Sequence, residues 1–118
     1  MWEVEVTDQF IEWWEDLATD QQAAIEARVE LLSEEGPSLG RPAVERIHSS
    51  RHHNMKELRA SAGGALRVLF MFDPRRQVIL LLGGDKGSAW DEWYQRAVPM
   101  ADELYDVYLG ELRKEGLI

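Results

Sequence analysis

The chain has 118 residues, with 22 acidic against 13 basic side chains for a net charge of −9, and it contains no cysteine. That length suits one domain hiding roughly two-thirds of its unfolded surface, and it excludes two independent domains. The lack of cysteine excludes disulfides, thiol nucleophiles and cysteine-ligated zinc or iron–sulfur sites, and it fits a reducing, cytoplasmic setting.

Residues 1–6 alternate Trp2, Val4 and Val6 with Glu3 and Glu5. This is the period of a half-buried strand, without the basic start and apolar block of a signal peptide. Phe10, Trp13, Trp14 and Leu17 then recur at i, i+3, i+4 and i+7, an apolar helical stripe opened by Thr7 or Asp8 as cap. Thr19-Asp20-Gln21-Gln22 has the form of a capping box. Ile25, Val29 and Leu32 extend a second helix, which Gly36-Pro37 stops. The stretch from Ser38 to Asn54 has little periodicity and reads as a surface loop.

Three strands follow, Met55 to Ser61, Leu66 to Asp73 and Gln77 to Gly83, joined by connections short enough for the hairpins of an antiparallel meander. The second and third are apolar on both faces, so helices must cover two sides of the sheet. Ser88-Ala89-Trp90-Asp91 has capping-box form, and Trp90, Trp93, Tyr94 and Ala97 follow at helical spacing. Pro99 should break that helix, leaving a last stripe of Leu104, Tyr105, Tyr108, Leu109 and Leu112. The two most apolar stretches, Val68 to Phe72 and Val78 to Leu82, are far short of the ~20 residues that span a bilayer. The expected fold is α+β: a small antiparallel sheet with an N-terminal αα-hairpin and a broken C-terminal helix, in the order β-α-α-β-β-β-α, as one domain over residues 1–118.

A net charge of −9 argues against nucleic-acid binding, which draws on clustered cations and counterion release. The distribution argues the other way. Residues 51–86 hold seven cations and three acids, for +4, whereas the flanks together carry six cations and nineteen acids, for −13. Local potential in a cleft matters more than the sum, so the positive middle can form an anion site, although acidic helices solvating themselves around an ordinary sheet would give the same count.

The element order, with Met55-Lys56-Glu57-Leu58-Arg59, then Leu66 to Pro74, then Val78 to Leu82 and Lys86, resembles the RelE/ParE superfamily of type II toxin–antitoxin toxins, in particular its HigB-type branch. The resemblance implies a cytoplasmic toxin that cuts mRNA on the ribosome without a metal or other cofactor, neutralised by a helix-turn-helix antitoxin. Its partners would be that antitoxin, the ribosome and mRNA, with no membrane and no nucleotide cofactor. Two alternatives stay open: a ParE-like gyrase poison without nuclease activity, and a non-toxic protein-interaction module on the same fold.

RNA carries its own nucleophile, the 2′-OH, so such an enzyme must remove one proton, stabilise a phosphorane-like transition state and protonate the departing 5′-oxygen. By the resemblance, Arg59, Arg67 and Lys86 fall at the family's basic positions and are the candidate catalytic cations. His52, His53 and Tyr94 are candidates for proton transfer, and Arg51 and Lys56 for RNA binding. Met55, Glu57 and Arg59 share one strand face, opposite Lys56 and Leu58, which favours Arg59 over Lys56. Structural roles compete at each position. Arg67, in an apolar strand, is either partnered by Glu57 or Asp85 or aimed into a cleft. Arg59 could be solvated, Lys86 could sit in a plain turn, and Trp90 and Trp93 could pack in the core instead of stacking on bases. Gly83-Gly84-Asp85-Lys86-Gly87-Ser88 lacks the spacing of a phosphate-binding P-loop, and adjacent His52 and His53 lack metal-ligand spacing. The strong acidity and the absence of a basic run after the last strand depart from the family pattern.

Overall fold

The computed structural model describes residues 1–85, 87 and 90–118. Five strands form one sheet: β1 (Val4–Val6), β2 (Val44–Arg46), β3 (Lys56–Ser61), β4 (Ala65–Phe72) and β5 (Val78–Asp85), in the spatial order β1-β5-β4-β3-β2. The meander β3-β4-β5 is antiparallel, as the short connections require, and β2 extends it antiparallel to β3. β1 joins the far edge parallel to β5, because the helical hairpin returns the chain across the sheet before the meander begins.

Helices α1 (Asp8–Glu15) and α2 (Thr19–Glu35) cover one face, and α3 (Trp90–Lys114) covers the other. The alternation of β3, β4 and β5 divides the apolar residues accordingly. Leu58, Leu66, Val68, Phe70 and Leu80 pack beneath α1 and α2 with Phe10, Ile25 and Leu32. Met55, Leu69, Met71, Ile79 and Leu81 pack beneath α3 with Ala97, Ala101 and Tyr105. A bulge resets the register between Leu69, opposite Leu82, and Phe70, opposite Leu80, so that Leu81 is the extra residue. Beyond the bulge, Gly83 lies against the ring of Trp13 on one face and Gly84 against the indole of Trp93 on the other. A Cβ at Gly84 would collide with that indole, so glycine there lets the N-terminal end of α3 approach the sheet.

Thr7 caps α1 as expected: its Oγ1 accepts from the Phe10 amide at 3.0 Å and donates to the Leu81 carbonyl at 2.6 Å, tying the helix start to β5. Other expectations need correction. The capping residue of α2 is Ala18, one residue earlier than Thr19, and Gln21 instead of Gln22 reaches back to the Ala18 amide at 3.1 Å. Gln22 bonds the Trp14 carbonyl instead. The segment Ser38 to Asn54 contains β2, whose three residues are too few to show a period. The helix expected to break at Pro99 runs unbroken from Trp90 to Lys114. Proline there removes only the bond to the Gln95 carbonyl, and both residues are exposed, so water can take the missing partner's place. Lys86 lies outside the described residues, as do Ser88 and Ala89, the first half of the expected Ser88-Ala89-Trp90-Asp91 capping box. No helix among the described residues is long and apolar enough to cross a membrane.

Candidate active site

On the α3 side, at the end of the sheet where β3 and β4 meet, Arg59 and Arg67 are direct cross-strand partners. Like charges in that position repel. The group between them is Glu57, two residues before Arg59 on the same strand face and only 2% exposed. Its Oε2 accepts from Arg59 Nε at 3.0 Å and from Nη2 at 2.8 Å, while its Oε1 lies 3.7 Å from Arg67 Nε. The Tyr94 hydroxyl, reaching down from the first turns of α3, donates to the same Oε1. One carboxylate thus gathers two guanidinium groups and a phenol.

The two arginines differ in what they offer. Arg59 keeps about a third of its side chain in solvent (34%), so it can swing toward an incoming anion. Arg67 is buried, with Nη1 donating to the Leu66 carbonyl at 2.8 Å and Nε making no hydrogen bond. A desolvated cation with an unused donor is costly unless an anion comes to it, and its field is strong because little water screens it. Burial pushes the Tyr94 hydroxyl up to about 12, helped by the Glu57 carboxylate and opposed by Arg67. The phenol therefore keeps its proton at neutral pH.

Tyr105 and Tyr108 are also shifted upward, Tyr105 by burial and Tyr108 by burial together with its hydrogen bond to Asp73. These and Tyr94 are all the tyrosines of the chain. The unfolded state releases phenolic protons near pH 10 while the folded state still holds them, so above pH 10 the folded state binds more protons and stability falls as pH rises. Phenolate absorbance is expected to stay low in the folded protein past pH 10 and to rise together with unfolding. Reversible titration of even one tyrosine near pH 10, with the fold intact, would contradict this.

The remaining sequence candidates lie elsewhere or outside the description. His52 Nε2 is 2.8 Å from Asp106, and Arg51 pairs with the same carboxylate. Arg51 and its hydrogen bond hold Asp106 below the usual carboxylate range. Asp106 lies twelve residues beyond Tyr94 on α3, about 18 Å along the axis, so the geometry places His52 and Arg51 as fastenings of α3 instead of site groups. His53 is exposed, and Lys56 points to the opposite face of β3, its Nζ 5.4 Å from the Phe72 ring centroid. Trp93 packs against Gly84 and edge-on to Tyr94, with ring centroids 5.0 Å apart. Trp90 keeps no described side chain to place. Glu57, which the sequence suggests only as a partner for Arg67, is the organising residue. Its signal was an acid at an inward position of a strand, two residues before a cation.

Comparison with known proteins gives the chain's kinship. The model of the family described as phage derived protein Gp49-like (DUF891) matches residues 12–106. A Mycobacterium tuberculosis (strain ATCC 25618 / H37Rv) protein named as toxin HigB3 is 48% identical over 97 residues, 82% of this chain and 84% of the relative. A second protein of that strain, named as toxin HigB2, is 42% identical over 101 residues, 84% of this chain but half of the relative. Among solved structures, the intact E. coli RelBE toxin–antitoxin complex superimposes with a TM-score of 0.57 at 9% identity, covering 72% of this chain and 96% of the matched one. That likeness establishes the fold, and the family match and the HigB3 identity establish the kinship: this chain belongs to the Gp49-like family and has HigB-named relatives.

Proposed function

We propose that the protein is the toxin of a type II toxin–antitoxin pair and acts as an endoribonuclease on mRNA in the ribosome, held in check by a helix-turn-helix antitoxin. Support for the toxin comes from the HigB-named relatives and the shared fold, and support for a partner from the antitoxin in the RelBE complex. The observation that carries the chemistry is the convergence of Arg59, Arg67 and Tyr94 on Glu57.

In this reading the scissile phosphate enters beside Arg67, drawing Arg59 away from Glu57. The two guanidinium groups take the non-bridging oxygens and stabilise the charge that develops on them. Freed of Arg59, the Glu57 carboxylate takes the 2′-OH proton as the O2′–P bond forms. The P–O5′ bond breaks, and Tyr94 gives its proton to the departing oxygen. The products are a 2′,3′-cyclic phosphate and a 5′-hydroxyl, and Glu57 returns its proton to Tyr94 afterwards. Lys86 would add positive charge.

Because the protein's own cations neutralise the transition state, cleavage of a short RNA at high enzyme concentration is expected to survive EDTA and to leave 5′-hydroxyl ends. The short substrate matters, since ribosomes themselves need magnesium. Activity that returns only with added magnesium or manganese, or 5′-phosphate ends, would overturn the mechanism. Primer extension on cellular mRNA after induced expression tests the wider reading: new 5′ ends within coding sequence are expected. Growth arrest without such ends, accompanied by DNA breaks, would point to gyrase instead.

A further inference from the structure

A second pair of cations faces itself across the sheet, on the other side of β3. Arg46 in β2 and Lys56 in β3 are direct cross-strand partners, the arrangement that makes like charges destabilising. The Arg59–Arg67 pair has Glu57 between its members, but Arg46 and Lys56 have no ion-pair partner among the described residues. Arg46 Nε donates to the His53 carbonyl at 3.1 Å, and Lys56 lies over Phe72. Both border an open groove of 480 Å³ along the β2 edge, with Arg41 and His53 on its rim. The one acid of that groove, Glu45, is already taken by Arg41.

The arrangement conflicts with the rest of a molecule that carries −9 overall. Self-repelling cations are kept together at the β2 edge of the sheet, Arg46 on the edge strand and Lys56 on its neighbour β3, and no acid among the described residues pairs with either. The groove is open and its cations are spread along it, which suits a chain of phosphates better than a compact anion. Screening limits the reach of the acidic flanks to about 8 Å at physiological salt, so the groove acts on RNA once that RNA is close.

We infer that this groove binds the phosphate backbone of structured RNA, as a contact separate from the strand being cut. The inference rests on the reading that the protein acts on RNA. β3 then lies between two anion sites, with Glu57 and Arg59 serving cleavage on one face and Lys56 serving anchorage on the other. An acidic enzyme is thereby held on an RNA surface by a few local contacts.

The test is binding, so it does not depend on cleavage. Affinity for a fluorescent 20-base-pair RNA hairpin would be measured against salt for the wild type, for Arg46→Glu with Lys56→Glu, and for Arg113→Glu with Lys114→Glu, which makes the same charge change at the exposed end of α3. The groove variant is expected to bind at least about tenfold more weakly, with a log–log salt slope smaller by about 2, whereas the α3 variant loses much less. If the glutamates unfold the edge strand, Arg46→Gln with Lys56→Gln should show the same order of effects. Equal losses in the groove and α3 variants would mean that net charge alone sets binding, and wild-type affinity in the groove variant would remove the site. Intact RNA binding with lost binding of the antitoxin would give the groove to a protein partner, which also overturns the proposal.

Discussion

Replacing Arg67 by alanine is expected to lower cleavage of a bound RNA by on the order of 10²–10³, the usual loss when a donor aimed at developing charge is removed. The size of the effect follows from burial. The guanidinium is already stripped of water and its Nε has no hydrogen bond, so a phosphate oxygen meets a donor that need not be desolvated first. Arg59, a third exposed and already doubly bonded to Glu57, must exchange one anion for another, and Arg59→Ala is expected to cost nearer tenfold. Arg67→Lys should rescue little, because a single ammonium lacks the fork that can hold the Leu66 carbonyl and a phosphate together. Single-turnover cleavage checks the ranking, read beside thermal melting because Arg67→Ala also takes a partner from Glu57. A folded Arg67→Ala protein with full cleavage would remove Arg67 from the site.

The path from sequence to site shows where physical signals carry and where they fade. The apolar stripes fixed the helices and the two-faced strands because burial repeats with a period that a reader can count. β2 escaped because three residues show no period, and its place at the edge depends on pairing with β3, fifty-odd positions into the chain. Pro99 misled because the rule against internal proline weighs a lost hydrogen bond, whereas the exposed Gln95 carbonyl can find water. At the site, alternation along β3 already set Glu57 and Arg59 on one face and Lys56 on the other. The partnership of Arg59 with Arg67 is a matter of register, which depends on the whole meander. His52 is a proton-transfer candidate by residue type, yet its ring nitrogen is engaged by Asp106, a partner 54 residues away that no local pattern indicates.

Glu57→Gln should produce the largest combined loss, because this residue has two duties that can be separated. As a structural group it is the buried anion between two cross-strand arginines. A glutamine offers one accepting oxygen, and its amide N–H groups would face guanidinium donors. Breaking a buried pair of this kind typically costs about 3–5 kcal/mol, which for a chain of this size lowers Tm by on the order of 10–20 °C. As a chemical group it accepts the 2′-OH proton, so cleavage should stay low even at temperatures where the variant is fully folded. Adding Arg67→Met separates the duties. One of the repelling charges is gone, methionine suits the apolar neighbourhood of Leu69, and Arg59 can extend into solvent. The double variant should therefore regain most of the lost Tm while remaining inactive. If Glu57 were only a brace for the arginines, Glu57→Gln would keep much of its rate in the cold. If it were only a base, its Tm would match the wild type. Melting curves and low-temperature cleavage rates of the two variants decide among the three outcomes.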